Sequence, residues 1–93
     1  MGIKNLENED GDLAYVLKHW HDGTGNRSSG EKLRNEIISS FLETKRRIVI
    51  DFADLSIISS SFADELLGKL VIEFGFFNFN NIIKLKNMNN LIQ

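Results

Sequence analysis

Three consecutive serines, Ser59, Ser60 and Ser61, follow an apolar strand and open an amphipathic helix. A serine hydroxyl at a helix N-terminus can cap the helix, carry a phosphate or help to hold an anion. One serine is enough for a cap, which is worth about 1 kcal/mol, so three exceed that need. A phosphate there would bring about −1.5 to −2 charges to the positive end of the helix dipole. All three serines are therefore candidate phosphorylation sites, with capping as the alternative.

Acidic residues surround these serines. Asp64 and Glu65 lie in the predicted first helical turn, where carboxylates interact favourably with the dipole but would repel a phosphate. Ser61 and Asp64 also have the spacing of a capping pair. Asp54 lies in the loop after the strand, on the edge where open α/β sheets bind their ligands. Asp51 resembles the phosphoaspartate of receiver domains in position, but the acidic pair that such a site needs is not apparent.

Other chemistries find little support in the sequence. His19 and His21 could ligate a metal, but no third ligand is apparent, so we expect no metal site. The run 23–25 is rich in glycine but lacks the dinucleotide and P-loop patterns, so we expect no cofactor. Arg27 and Arg34 could pair with carboxylates or hold an anion. No nucleophile, base and orienting group occur together, and we therefore do not expect an enzyme.

The composition is that of one ordinary globular domain, residues 1–93. A formal net charge of −2 does not favour a nucleic-acid partner. No apolar run approaches the roughly 20 residues of a membrane span, and the N-terminus has no signal-peptide pattern. We therefore expect no membrane association, and a cytoplasmic location is the default.

Alternating helices and strands must position the serines. Ser28 and Glu31 have capping-box spacing, which predicts a helix from about residue 29 to residue 43. The β-branched run 48–52 predicts a strand covered on both faces. Apolar residues then recur every four positions from Phe62, and Gly75 is placed to end that helix. The remaining predictions are a strand at 82–85, the start of a helix at 88–93, a short strand at 3–6, and either helix or strand at 13–20.

This order predicts an α/β fold with a parallel or mixed sheet and a site at the carboxyl ends of its strands. Two segments then resemble a known family, the STAS-like domains of uncharacterised bacterial proteins, which are related to STAS-domain anti-sigma-factor antagonists. The segments are Val49-Ile50-Asp51-Phe52 with Ser60-Ser61-Phe62-Ala63-Asp64-Glu65, and the Arg-x-x-Gly-x-x-x-Arg pattern of residues 27–34.

The resemblance spans residues 26–93, while residues 1–22 match it poorly and the family's final helix would lie beyond residue 93. It implies a small STAS-like domain with a mixed or parallel sheet of about three to five strands, covered by two or more helices. In the antagonists a loop Asp-Ser-Ser-Gly precedes the corresponding helix, and its second serine is phosphorylated. Here Ser61 stands at that serine, while Ser59 and Phe62 stand at the aspartate and the glycine.

The resemblance implies a bacterial regulatory module of the anti-sigma-factor-antagonist type. Its expected partner is a histidine-kinase-type ATPase such as an anti-sigma factor, and phosphorylation of Ser61 or Ser60 would weaken that contact. The expected partner-binding residues are Asp54, Ser56, Ser60, Ser61, Asp64, Glu65 and Arg27.

Three alternatives remain open. One is an unmodified scaffold or homodimerisation domain, which the Phe-rich run 74–79 supports because four phenylalanines do not fit easily into so small a core. Another is a mobile-element effector that mimics a host regulator. The last is a small ligand bound at the helix N-terminus.

Overall fold

Helices separate the parallel strands in the computed structural model, which describes residues 6–7, 11–55 and 57–88. The strands are β1 (Leu6–Glu7), β2 (Leu13–Val16), β3 (Ile48–Asp51) and β4 (Ile83–Lys86). The helices are α1 (Arg27–Thr44), α2 (Ser60–Ala63), α3 (Lys69–Phe74) and α4 (Phe76–Ile82). A π-helical turn, Asp64–Gly68, joins α2 to α3, so residues 60–74 form one continuous helical segment.

The four strands found among the described residues form one mixed sheet in the order β1-β2-β3-β4. β1 pairs antiparallel with β2, whereas β2, β3 and β4 are mutually parallel. Leu13, Ile48 and Ile83 stand side by side in the register, as do Tyr15, Ile50 and Leu85 two residues further along. The small α/β fold with a mixed sheet is confirmed, and it is compatible with the STAS-like architecture.

The hydrophobic core lies between one face of this sheet and the helices. Side chains point alternately to the two faces of a strand, so the two rows of register partners share a face. They pack with Leu33 and Ile37 of α1 and with Phe62, Leu66 and Leu70 of the segment 60–74. The four-residue spacing from Phe62 therefore predicted the buried stripe, in which Phe62, Leu66 and Leu70 are fully buried.

Two segments differ from their sequence-based predictions. The ambiguous stretch 13–20 is part strand and part helix, because β2 ends at Val16 and a single 3₁₀ turn, Leu17–His19, follows. The stretch before the predicted strand 82–85 is α4, and β4 begins one residue later than expected. The expected strand at 3–6 has only Leu6 among the described residues, and of the expected helix at 88–93 only Met88 is described.

The start of α1 corrects another prediction. The helix begins at Arg27, and its cap is Asn26 rather than Ser28. The Asn26 side chain accepts a hydrogen bond from the Ser29 amide at 2.8 Å, which satisfies one of the free amides of the first turn. Gly75 does end α3 as predicted, and its φ of 85° is a conformation that glycine adopts without strain.

No helix in the described part of the chain is both long enough and apolar enough to cross a membrane.

Candidate functional site

The loops that follow β2 and β3 meet at the carboxyl edge of the sheet. Thr24 links them, because its carbonyl accepts a hydrogen bond from the Ser59 amide at 3.0 Å. Its hydroxyl also donates to the Ile57 carbonyl at 2.9 Å. Two bonds on either side of Ile58 therefore fix the backbone that leads into α2. We call the described residues of these two loops, 20–26, 52–55 and 57–59, the carboxyl ledge.

Hydrogen bonds to the start of α1 also hold the first loop of the carboxyl ledge. The buried Trp20 indole donates to the Ser29 hydroxyl at 2.8 Å, and that hydroxyl donates to the Gly23 carbonyl at 2.6 Å. A buried tryptophan and a buried serine thus tie the loop to the first turn of α1, and each has its hydrogen-bonding partner. The carboxyl ledge is consequently an ordered surface.

Asp54 is the most prominent acidic group on the carboxyl ledge. Its backbone is left-handed, with a φ of 59°, which aspartate tolerates better than most residues. Its carboxylate lies 2.9 Å from the Lys18 ammonium, and 76% of its side chain is exposed. An ion pair this exposed contributes little to stability, so both groups are available to a partner.

The three serines have different roles at the start of α2. Ser59 is the cap, since its hydroxyl accepts from the Phe62 amide at 3.0 Å and its backbone is extended. The capping-pair spacing of Ser61 and Asp64 therefore does not mark the start of the helix. Ser60 and Ser61 both lie inside the first turn, where Ser60 is exposed and Ser61 is half-buried. With the helix beginning at Ser60, the Phe62 side chain lies in the core and has no exposed surface.

Glu65 lies at the centre of a cluster of charges between α1 and the π-helical turn. Only 8% of its side chain is exposed, and each of its carboxylate oxygens accepts from an arginine. Arg27 contacts Oε1 at 2.7 Å and Arg34 contacts Oε2 at 2.9 Å, while Lys69 approaches Oε1 at 3.5 Å. Arg27 also lies 3.4 Å from Asp64. The carboxylate is buried but fully paired, as buried charges must be.

The two arginines hold the pKa of the Glu65 carboxyl at about 2, compared with an ordinary 4.5. The hydrogen bond from Arg34 contributes most, the bond from Arg27 comes next, and burial acts in the opposite direction. Because hydrogen bonds and nearby cations stabilise the ionised form more than burial disfavours it, Glu65 is a carboxylate throughout the physiological pH range.

Arg34 also explains how the helix accommodates its π-helical turn. In an α-helix the Lys69 amide would bond to the Glu65 carbonyl, but here it bonds to the carbonyls of Asp64 and Leu66. The Arg34 guanidinium donates to the Glu65 carbonyl at 2.7 Å. One arginine therefore contacts both the backbone and the side chain of the residue where the hydrogen-bonding pattern changes.

Gly30 allows the two helices to come this close. A β-carbon at this position would lie 2.8 Å from the Phe62 carbonyl oxygen and 3.1 Å from the Glu65 β-carbon. The Arg-x-x-Gly-x-x-x-Arg pattern is thereby explained, because residues three and four apart share one helix face. Gly30 supplies the close approach, and Arg27 and Arg34 bind Glu65 on either side of it.

The structure separates the expected partner-binding residues into two groups. Asp54, Ser60 and Asp64 are exposed, with Ser61 half-buried beside them. Glu65 is buried in ion pairs within the chain, and Arg27, whose side chain is 55% exposed, is bound to it. Ser56 lies outside the described residues. Partner binding by any of them stays a prediction.

Sequence reasoning missed two features of this region. It predicted that Arg27 and Arg34 could pair with carboxylates, which the structure confirms. It did not name Glu65 as their partner, although the arginine spacing on one helix face was a usable signal. It also interpreted residues 23–25 only as a loop that matches no cofactor pattern, and nothing local indicates that Thr24 would bond to Ile57 and Ser59. Among the described residues no group of three or more potential metal ligands occurs, and His21 instead packs on Trp20 with ring centroids 4.5 Å apart.

Comparisons with known proteins bear on the same segments. No curated protein and no solved structure matches the chain. A family model described as a STAS-like domain of unknown function (DUF4325) matches residues 29–93. The match includes the triple serine, Gly30, Arg34 and Glu65. Since it covers more than half of the chain, this protein belongs to that STAS-like family.

Proposed function

We propose that this chain is a bacterial regulatory module that acts by binding another protein through the carboxyl ledge and the first turn of α2. The supporting observation is the link through Thr24, which holds two loops and a helix start together as one ordered surface. Exposed Asp54 and Ser60 lie on these elements, and exposed Asp64 follows α2 directly, at the start of the π-helical turn. A surface that is already ordered costs less conformational entropy to bind, which suits a recognition site.

The partner that the family resemblance suggests is a histidine-kinase-type ATPase such as an anti-sigma factor, in the cytoplasm. The module itself would act without catalysis, by occupying its partner.

Serine phosphorylation is the switch that we propose for this contact. Ser59 is engaged as the helix cap, so Ser60 and Ser61 are the available hydroxyls, and Ser60 is the more exposed. Ser60 lies four residues before Asp64, which places the two side chains on one helix face. A phosphate on Ser60 would repel Asp64 and compete with it for Arg27, which lies 3.4 Å from that carboxylate. Both effects would alter the charge presented to the partner.

The test is a binding titration against a purified histidine-kinase-type ATPase of the organism that encodes this chain, with mass spectrometry of the chain after incubation with that ATPase and ATP. We expect Ser60→Asp or Ser61→Asp to weaken binding at least about tenfold, because it places a new charge in the contact. Ser39→Asp is the matched control, since Ser39 is an exposed serine on α1. Unmodified serines, together with equal affinities for all three variants and the wild type, would exclude the switch.

A further inference from the structure

α4 presents aromatic side chains to solvent on a fixed backbone. Phe76 is 72% exposed and Phe77 is 77% exposed, whereas Phe79 in the same helix is only 8% exposed. Phe79 and Ile82 attach the helix to the core. The Phe79 amide donates to the Gly75 carbonyl at 2.8 Å, and the Asn81 side chain donates to the Phe77 carbonyl at 3.1 Å. The orientation of the helix therefore leaves the rings of Phe76 and Phe77 exposed.

The exposed area is large for a domain of this size. An aromatic side chain presents about 150–250 Å², so two rings exposed by roughly three quarters offer on the order of 300 Å² of apolar surface. Ile72, at the end of the preceding helix, is also 76% exposed. Patches of about 300–600 Å² are the largest on a typical monomer and are often functional.

Charge is absent from this part of the chain. Residues 74–83 contain no acidic or basic side chain, while Glu73 and Lys84 stand immediately outside the run. A twofold interface places each residue near its own counterpart, so a charge close to the axis would face a like charge. The neutral first turn of α4, which carries Phe76 and Phe77, avoids that repulsion. Asp12, Arg47 and Lys84 lie beside Asn80 at the other end of the helix, so the twofold axis belongs near the phenylalanines.

We infer that α4 is a homodimer interface, in which Phe76 and Phe77 of one chain pack against the same residues of a second copy about a twofold axis. Two copies of this patch would bury roughly 600–800 Å² of apolar side chain, below the ~1,200 Å² of a standard interface, so the dimer is a weak one. α4 leads directly into β4 and therefore lies at the amino edge of the parallel strands, opposite the carboxyl ledge. The inference does not rest on the proposed function.

Sedimentation of the full chain over about 1 µM to 1 mM tests the inference, because this range covers the affinities of weak interfaces. The wild type should show a mass that rises from monomer to dimer. Phe77→Asp should weaken the dimer at least about tenfold, since the substitution acts twice at a twofold axis. Ile57→Asp is the matched control, because Ile57 is 75% exposed and lies on the carboxyl ledge. It should leave the dissociation constant within about twofold of the wild type.

A second measurement covers the case in which Phe77→Asp fails to fold. The chain has no cysteine, so Phe77→Cys and Ile57→Cys each introduce a single thiol. Under mild oxidation Phe77→Cys should form a disulfide-linked dimer well before Ile57→Cys does. If the wild type stays monomeric up to 1 mM, the inference is overturned. The patch is then free, covered by another part of the chain or bound by a different protein. Equal behaviour of the position-57 and position-77 variants overturns the inference as well.

Discussion

Replacing Gly30 with alanine should destabilise the domain even though alanine is the better helix former. In an open helix interior the change would gain about 1 kcal/mol. Here the new β-carbon would lie 2.8 Å from the Phe62 carbonyl oxygen and 3.3 Å from the Phe62 α-carbon. Both atoms belong to the backbone of Phe62. Because the Phe62 side chain is fully buried, this backbone cannot move away from the new β-carbon independently of the core. Overpacking costs about 1–3 kcal/mol, and a clash with fixed backbone belongs in the upper part of that range, about 2–3 kcal/mol. After subtraction of the gain of about 1 kcal/mol, the net loss should be about 1–2 kcal/mol.

Urea unfolding followed by circular dichroism measures this loss directly, and a thermal melt should show a fall of roughly 5–15 °C in Tm. Gly25→Ala is the matched control, because a β-carbon at Gly25 would meet nothing within 4 Å. That variant should be unchanged or up to about 1 kcal/mol more stable. If Gly30→Ala were as stable as Gly25→Ala, the close approach of the two helices would not be the reason for a glycine at this position.

Two further predictions concern the helix cap and the buried carboxylate. Ser59→Ala should cost about 1 kcal/mol of unfolding free energy, measured with urea, because the Phe62 amide loses its acceptor. Ser60→Ala should stay within about 0.5 kcal/mol of the wild type. Equal losses would contradict the assignment of Ser59 as the cap. The folded-state pKa of Glu65 is about 2, below its ordinary 4.5, so the stability from its ionisation is fully present above about pH 5 and is lost as the pH falls towards 2. The stability difference between the wild type and Glu65→Gln should therefore shrink over that range, and a difference that stays constant down to about pH 2 would refute the paired carboxylate.

The local patterns of the sequence predicted the elements that bury apolar side chains in regular order. The β-branched run 48–52 and the four-residue spacing from Phe62 both correspond to observed elements. α4 was missed because its phenylalanines and asparagines are weak helix formers. It is held instead by the burial of Phe79 and by the turn at Gly75, which are tertiary effects.

The candidate site was predictable only in outline. The carboxyl edge of the sheet and the helix start followed from the order of the elements. The cap could not be assigned, because Ser59, Ser60 and Ser61 are all suitable cap residues and the choice depends on which start brings Phe62 into the core. The pairing of Glu65 with Arg34 spans 31 residues and depends on the crossing of two helices at Gly30.

The register of the sheet has a consequence for how the chain folds. Leu13 pairs with Ile48 and Ile48 pairs with Ile83, so each parallel contact joins residues 35 positions apart, from 13 to 48 and from 48 to 83. Forming such a contact costs the entropy of closing a long loop before the contact contributes any stabilisation. Folding is therefore slower than that of helical domains. During synthesis β3 has no β4 beside it until residues 83–86 have emerged. Until then one edge of the buried strand β3 is open to other chains, which makes the nascent domain more prone to aggregate before β4 is in place.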